Sequence, residues 1–148
     1  MDSKGFLLIM EDIIFLKKTS IFSGVSTEDL KAIAAIGQEN SCEKNTLIVR
    51  EGDSGDSLFL IKSGSVRVTK GSGQNEVSLA LLPAGSFFGD MVLFEDAPRS
   101  ANCYADTDCK LLKLQRDDLI EVIMQHPRIA IELFKIMGNR LREANKRF

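Results

Sequence analysis

The chain has 148 residues, of which 44% are hydrophobic and 27% are charged, and its formal net charge at pH 7 is -2. A chain of this length fits one globular domain, which buries roughly 68–70% of the surface of the unfolded chain without needing a disulfide or a metal. The small acidic charge gives no reason to expect nucleic acid or an acidic membrane as a partner.

The N-terminal part of the chain is predicted to be helical. An apolar run at residues 6–10 is too short for the core of a signal peptide or for a membrane span, so we expect a cytoplasmic protein. Residues 13–18 are consistent with a short helix that lays its apolar side on the domain. Ser26, with Asp29 three residues later, resembles a capping box, which predicts a second helix that begins at Ser26 and ends before Gly37.

The middle of the chain is predicted to be a β domain. Short alternating apolar runs separated by Gly, Asn and Asp have the period of two that is typical of strands. The predicted strands cover residues 46–49, 57–61, 65–69, 77–82, 101–105 and 110–114. Residues 62–64 and 71–75 have the composition of turns. Many short strands without intervening helices predict an antiparallel sandwich or jelly roll.

One stretch interrupts this β pattern, FFGDMVLFEDAPRSA at residues 87–101. Gly89 lets backbone amides come close to a bound group, and the four residues after it suit one helical turn, whose first amides are unpaired donors. Arg99 lies ten residues after Gly89, where Pro98 fixes the backbone before it and the Ser100 hydroxyl lies beside it. Its planar guanidinium suits a two-point grip on phosphate. The stretch therefore predicts an anion site without a catalytic base.

The C-terminal part returns to a helical period. One helix is predicted from Arg116 to near His126, where Pro127 ends it and begins a second helix that reaches to near Phe148. This last helix has an apolar stripe of Ile129, Leu133 and Ile136 that stops at Arg140. It also has a heptad seam, with spacings of four, three, four, three and four residues, formed by Ala130, Phe134, Met137, Leu141, Ala144 and Phe148.

The two apolar stripes of the last helix need two different partners. The stripe that begins at Ile129 is expected to pack on the sandwich, while the seam continues past the sandwich. A twin helix from a second copy would cover the seam, which predicts a homodimer. The alternative is one wide apolar face that packs on its own domain, because fewer than three heptads is a short signal.

Other chemistries have little support in the sequence. His126 is the only histidine and lies beside Pro127, so we predict neither catalytic residues nor metal ligands. The three cysteines form no CxxC pair and match no cluster motif, so reduced structural thiols are expected at Cys42, Cys103 and Cys109. A solvated helix face, rather than a nucleic-acid surface, is expected for Lys135, Arg140, Arg142, Lys146 and Arg147.

Two blocks of the sequence resemble the cyclic-nucleotide-binding domain family, which includes catabolite-activator-type regulators, regulatory subunits of cyclic-nucleotide-dependent kinases and gated channels. The family's phosphate-binding cassette resembles this chain at Gly89, Asp90, Leu93, Pro98, Arg99, Ser100 and Ala101. Its early hairpin resembles residues 51–70, at Gly52, Gly55, Asp56, Phe59, Ile61, Gly64, Val66 and Val68. The resemblance extends from about Phe15 to the C-terminus.

The resemblance implies a single, mainly β domain over residues 1–148. Its fold would be an antiparallel double-stranded β-helix, or jelly roll, with N-terminal helices, a short cassette helix and two C-terminal helices. The N-terminal helices would occupy about residues 11–37 and the jelly roll residues 40–115. The cassette would occupy residues 87–101, and the hinge and lid helices residues 116–148.

The resemblance also implies a ligand and its contacts. The domain would bind a cyclic nucleotide, either cAMP or cGMP with cAMP favoured, as a regulatory sensor that signals through its C-terminal helices, and it would need no cofactor. Arg99 would pair with the cyclic phosphate, the turn after Gly89 would donate amides, Ser100 would support the phosphate or base, and Asp90 would accept from the ribose 2′-hydroxyl. The expected ligand-binding residues are Phe88, Gly89, Asp90, Met91, Val92, Pro98, Arg99, Ser100 and Ala101.

Two positions depart from the family pattern. Asp90 stands where the family usually has Glu, and Val92 stands where it prefers a smaller residue. The alternative function is therefore a degenerate fold that binds no nucleotide and acts as a dimerisation or interaction domain. The sequence ends at Phe148 without a helix-turn-helix, so we expect no direct DNA binding and an unknown protein as the receiver of the signal.

Overall fold

The computed structural model describes residues 5–146, which form four α-helices, two 3-10 turns and eight strands. The helices are α1 (Phe6–Lys18), α2 (Thr27–Ile36), α3 (Arg116–Gln125) and α4 (Arg128–Asn145). The strands are β1 (Gln38–Cys42), β2 (Leu47–Val49), β3 (Ser57–Ser63), β4 (Val66–Lys70), β5 (Val77–Leu82), β6 (Phe87–Phe88), β7 (Asn102–Ala105) and β8 (Cys109–Gln115). The 3-10 turns are Gly73–Asn75 and Asp90–Leu93.

The strands form two antiparallel sheets, which confirms the predicted jelly roll. The first sheet has the order β1-β8-β3-β6 and the second the order β2-β7-β4-β5. Consecutive strands alternate between the sheets at several points, as in a double-stranded β-helix. Within residues 5–146, no helix is both long and apolar enough to cross a bilayer.

Strand β3 separates two apolar cores. Leu58 and Leu60 face a core that the first sheet shares with the helices, where Phe22 and Leu133 are also buried. Phe59 and the residue two positions after it in β3 face the interior between the two sheets. Because both faces of β3 are buried, its sequence is a continuous apolar run. This strand is the part of the scaffold on which the candidate site rests.

Helix α1 is longer than the sequence indicated. It begins at Phe6 rather than near residue 11, and Asp12 is buried against Lys62, whose Nζ lies 2.9 Å from Asp12 Oδ1. Glu39 lies 2.9 Å from the same ammonium group. The predicted cap of α2 is confirmed, since the Asp29 amide donates to the Ser26 hydroxyl at 3.2 Å.

Two strands were not predicted, β1 and β6. The sequence of β1, QENSC, has no alternating apolar pattern because this strand lies at the edge of the first sheet with most of its side chains exposed. Strand β6 has two residues, too few for any period, and it forms only two pairs with β3. The other six strands lie at the predicted positions within two residues at each end.

Helix α4 divides its two apolar stripes as predicted. Ile129 and Leu133 are buried in the core that the helices share with the first sheet. Phe134 and Leu141 of the seam are each 64% exposed, while Phe148, its last member, lies outside the described residues. The hinge before α4 is tied to α2, because His126 Nδ1 lies 3.0 Å from Asp29 Oδ1.

Candidate functional site

The candidate site begins where β6 ends. Gly89 has a φ of 81°, in the left-handed region that favours glycine, and the 3-10 turn Asp90–Leu93 follows it. The first hydrogen bond of the turn runs from the Val92 amide to the Gly89 carbonyl at 3.4 Å. The amides of Asp90 and Met91 precede that bond, so they are donors for an acceptor outside the turn.

Arg99 reaches back to this turn from the far end of the cassette. Its Nη2 donates to the Ser57 carbonyl at 2.9 Å, and its Nη1 donates to the Gly89 carbonyl at 3.4 Å. A Cβ atom at Gly89 would lie 2.6 Å from the Arg99 Nη1 and 2.8 Å from the Ser57 oxygen. Glycine is therefore required at position 89 both for its backbone conformation and for the close approach of the guanidinium.

The loop of residues 52–56 holds Arg99 from the other side. The Arg99 amide donates to the Asp53 carbonyl at 2.8 Å, and the Gly52 amide donates to the Arg99 carbonyl at 2.8 Å. A Cβ atom at Gly55 would collide with the Arg99 guanidinium. The two sequence blocks that resemble the family are therefore parts of one structural unit, in which the early loop positions the cassette arginine.

The electrostatics of Arg99 are set mainly by burial. Burial lowers the pKa of this guanidinium from its usual value, while Asp56 and Cys103 act in the opposite direction. Burial also raises the pKa of the Cys103 thiol to about 11, with Arg99 opposing that rise. Because an arginine stays protonated in proteins, the site keeps a partly desolvated positive charge at neutral pH.

A hollow of about 110 Å³ lies against the turn and Arg99. Its lining contains seven of the nine predicted residues and two that were not predicted: Gly89, Asp90, Met91, Val92, Glu95, Ala97, Pro98, Arg99 and Ser100. Phe88 and Ala101 are not part of this lining. Phe88 is 6% exposed and stacks on Phe59 with ring centroids 5.0 Å apart, so its contribution is to the interior of the sandwich.

Arg99 also borders a second hollow, of about 350 Å³. Asp53, Asp56 and Lys113 line it together with apolar residues of β2. Carboxylates line both hollows, since Asp90 and Glu95 border the smaller one, but only the smaller hollow combines Arg99 with the amides that follow Gly89. The smaller hollow is therefore the better anion site.

Arg140 of α4 is a further residue at the site, and the sequence did not identify it. Its Nη1 lies 3.3 Å from Asp90 Oδ2, and its guanidinium lies over the Phe87 ring at 4.2 Å from the centroid. The expected solvated face is confirmed for Lys135, Arg140, Arg142 and Lys146, which are all exposed, but Arg140 also contacts the cassette. Lys135 and Lys146 pair with glutamates of the same helix, and Arg147 lies outside the described residues.

Possible metal ligands are not clustered in the part of the chain that the structure describes. Over residues 5–146, no group of three His, Cys, Asp or Glu side chains is placed to hold a metal ion. His126 contacts Asp29 at the hinge, far along the chain from the cassette. In the cassette, Arg99 and the amides that follow Gly89 border one hollow, and such an arrangement of donors can bind an anion.

This chain is similar to known proteins both in sequence and in fold. The Cyclic AMP receptor protein of Thermus thermophilus is 34% identical over 131 residues, which are 88% of this chain and 61% of that protein. The N-terminal domain of a transcriptional regulator from Streptomyces coelicolor superposes with a TM-score of 0.78 at 28% identity, over 89% of this chain and 93% of that one.

The regulatory domain of Toxoplasma gondii PKA, in a co-crystal structure with cAMP, gives a TM-score of 0.74 at 26% identity, over 82% of this chain and 47% of that one. The chain thus spans less than two thirds of the length of the Thermus and Toxoplasma proteins. The sequence pattern of the cyclic nucleotide-binding domain matches residues 39–126, which is more than half of the chain. This chain therefore belongs to the cyclic nucleotide-binding domain family, whose domain is a regulatory module with cAMP-binding members.

Proposed function

We propose that this domain is a sensor that binds a cyclic nucleotide in the cassette, with cAMP preferred to cGMP. The observation that carries the proposal is the half-buried Arg99 guanidinium, which borders the same hollow as the amides that follow Gly89. The names of two relatives support the choice of nucleotide, because the Thermus protein is a cyclic AMP receptor and the Toxoplasma domain was crystallised with cAMP.

The cyclic phosphate is placed between Arg99 and the turn. A guanidinium has five N–H donors, and two of the Arg99 nitrogens already donate to the carbonyls of Ser57 and Gly89. The remaining donors and the amides of Asp90 and Met91 then bind the phosphate oxygens through charge-assisted hydrogen bonds. Ser100, which lines the same hollow, supports the phosphate from the other end of the cassette.

The base lies outside the hollow. Pockets for whole ligands of this kind measure roughly 300–1,000 Å³, so a hollow of about 110 Å³ holds the phosphate and part of the sugar. Val68 and Ala80 are paired across β4 and β5, and both are apolar. We place the base on these strands, where its faces contact apolar side chains.

Helix α4 transmits the signal in this proposal. Arg140 engages Asp90, the carboxylate that would accept from the ribose 2′-hydroxyl, so the sugar and α4 compete for one acceptor. A hollow of about 430 Å³ lies below the second half of the helix, lined by Phe87, Ile136 and Arg140 among others, and gives that half room to move. The nucleotide shifts the helix only if it binds one arrangement more tightly than the other.

Thermal unfolding in the presence of cAMP or cGMP tests the binding proposal. A ligand at about 100 times its Kd adds about 2.7 kcal/mol of stability, so the melting temperature should rise with the concentration of cAMP and rise less with cGMP. Arg67→Ala is the matched control, because Arg67 pairs with Asp106 away from the cassette and should leave the rise unchanged. If the melting temperature changes with neither nucleotide, the remaining function is that of a degenerate domain that binds no nucleotide and acts in dimerisation or interaction.

We further propose that the seam of α4 forms a homodimer. Phe134 and Leu141 are each 64% exposed, which is unusual for large apolar side chains on one helical stripe. Phe134→Glu combined with Leu141→Glu should shift the sedimentation coefficient from dimer to monomer. Met124→Glu is the control, since Met124 is 78% exposed on α3 and lies outside the seam. A wild-type chain that sediments as a monomer at high concentration would contradict the proposal.

A further inference from the structure

Two of the three cysteines face each other across neighbouring strands. Cys42 is the last residue of β1 and is paired with Cys109, the first residue of β8. Residues directly opposite each other in an antiparallel pair place their side chains on the same face, with Cβ atoms roughly 4.5–5.5 Å apart. The register of the first sheet therefore brings two thiols together that are far apart in the sequence.

The surroundings of the two sulfurs are shared. Cys109 is 3% exposed within the apolar interior between the sheets, and Cys42 packs against the same cluster. The Cys109 thiol lies 3.1 Å from the Ser65 carbonyl and 3.2 Å from the Thr107 carbonyl, which fixes the position of its sulfur. Cys103 differs, because it lies in the second sheet opposite Val49 and Val68.

One member of the pair, Cys42, is accessible from solvent. A hollow of about 400 Å³ is lined by both cysteines together with Ser41, Ser63, Asp108 and Lys110. Its residues are separate from those of the cassette hollow. A small oxidant can therefore reach Cys42, which is only partly buried, without passing through the nucleotide site.

We propose that Cys42 and Cys109 are a reversible thiol-oxidation site that closes to a disulfide between β1 and β8. Cα atoms of paired residues are roughly 4.5 or 5.5 Å apart, which lies within the 4.4–6.8 Å that a disulfide requires. The Cβ atoms of such pairs are roughly 4.5–5.5 Å apart, whereas the Cβ atoms of a disulfide are usually roughly 3.5–4.5 Å apart. The strand ends must therefore draw together, and the resulting bond is strained and easily reduced.

The reaction balances with a low-molecular-weight disulfide such as oxidised glutathione. The Cys42 thiol loses its proton to solvent, and its thiolate attacks one glutathione sulfur, which breaks the glutathione disulfide and releases one glutathione thiolate. The Cys109 thiolate then attacks the Cys42 sulfur of the mixed disulfide and releases the second. Two protein S–H bonds are replaced by one S–S bond, and two molecules of reduced glutathione form after protonation.

The environment of Cys42 sets the rate of this exchange. Burial, and to a lesser degree the neighbouring Cys109, raises the pKa of the Cys42 thiol. The charged groups around the hollow are Glu43, Asp108 and Lys110. Because the thiolate is the nucleophile, the exchange is slow at neutral pH and accelerates as the pH rises.

Mass spectrometry of the intact chain after incubation with oxidised glutathione tests the proposal. The wild type and Cys103→Ala should each lose two hydrogen atoms and regain them in excess reduced glutathione, and peptide mapping should join Cys42 to Cys109. Cys42→Ser should form no internal disulfide. This variant changes the less buried cysteine, so circular dichroism can confirm that it remains folded.

Three outcomes would overturn the inference. These are a stable glutathione adduct on Cys42 without closure, a disulfide that includes Cys103, and a wild type that stays fully reduced at pH 9. Arg99→Ala should oxidise as the wild type does, because the cassette is not part of this site. The result is thus independent of whether the domain binds a nucleotide.

Discussion

The two arginines that reach the cassette are held in different ways. Arg99 is half-buried, its guanidinium donates to two backbone carbonyls, and its own backbone is paired with the loop of residues 52–56. Arg140 is 53% exposed, and its ion-pair partner is the side chain of Asp90, 3.3 Å away. The position of Arg99 is fixed by the sandwich, whereas that of Arg140 depends on where α4 lies.

The two arginines should also differ in the free energy that is needed to displace them. Exposed ion pairs contribute roughly 0–1 kcal/mol to stability, while a charged group bound to buried partners is costly to disturb. A ligand can therefore displace Arg140 at little cost and leave Arg99 in place. The comparison predicts large effects on binding from changes around Arg99 and small effects from changes at Arg140.

The largest effect is expected for Arg99→Ala. Removal of one partner of a buried charge pair should weaken cAMP binding by about 2–5 kcal/mol, which calorimetry measures as a loss of roughly 30-fold or more. Arg67→Ala removes an arginine of similar exposure from β4, and its affinity should equal that of the wild type. Unchanged binding by Arg99→Ala would remove this residue from the site.

A smaller effect is expected for Gly55→Ala, which displaces the guanidinium rather than deleting it. The new Cβ atom meets the flexible end of Arg99, so the side chain shifts and a charge-assisted hydrogen bond, worth about 1.5–3 kcal/mol, is lost from cAMP binding. Gly138→Ala is the control, because a Cβ atom there meets nothing within 4 Å. Equal affinity of both variants in calorimetry would show that the loop does not position Arg99.

Asp90→Glu should act in the opposite direction. The added methylene group lets the carboxylate reach the ribose 2′-hydroxyl directly, and one hydrogen bond adds about 0.5–1.5 kcal/mol of binding free energy. Asp90→Asn keeps the short side chain and should not show the gain. If competition titrations find Asp90→Glu no tighter than the wild type, the acid at this position does not contact the sugar.

The smallest effect is expected for Arg140→Ala. Loss of this exposed pair should change the free energy of unfolding by less than about 1 kcal/mol in urea titrations, and added salt should reduce even that difference. Arg140→Lys should lie between the wild type and the alanine variant, because lysine keeps the charge and loses the planar group over Phe87. If Arg140→Ala lowers the free energy of unfolding as much as removal of a buried arginine would, Arg140 holds α4 firmly in place and the helix is not mobile.

The sequence could predict what depends on local spacing. Gly89 and Arg99 belong to one short segment, so their proximity could be predicted before the fold was known. The two stripes of α4 were also separable, because helical periodicity alone distinguishes Ile129 and Leu133 from Phe134. These features depend on residues that are close together in the sequence, within a single turn or a single helix.

What the sequence could not predict depends on contacts between distant segments. The contact of Arg140 with Asp90 requires the direction in which α4 crosses the sandwich, which no periodicity contains. The pairing of Cys42 with Cys109 requires the register of β1, whose polar sequence gives no strand signal. The stacking of Phe88 on Phe59 likewise requires the pairing of β6 with β3, which two residues are too few to reveal in a sequence.

The backbone pairing of Arg99 with Gly52 and Asp53 has a consequence for protein engineering. A designer who transplants only residues 87–101 into another β-sandwich would bring the arginine without the groups that aim it. The recipient would also need a loop with carbonyl and amide groups like those of Gly52 and Asp53, and a glycine like Gly55 to make space. The smallest portable form of this site is thus two separate pieces of chain grafted together.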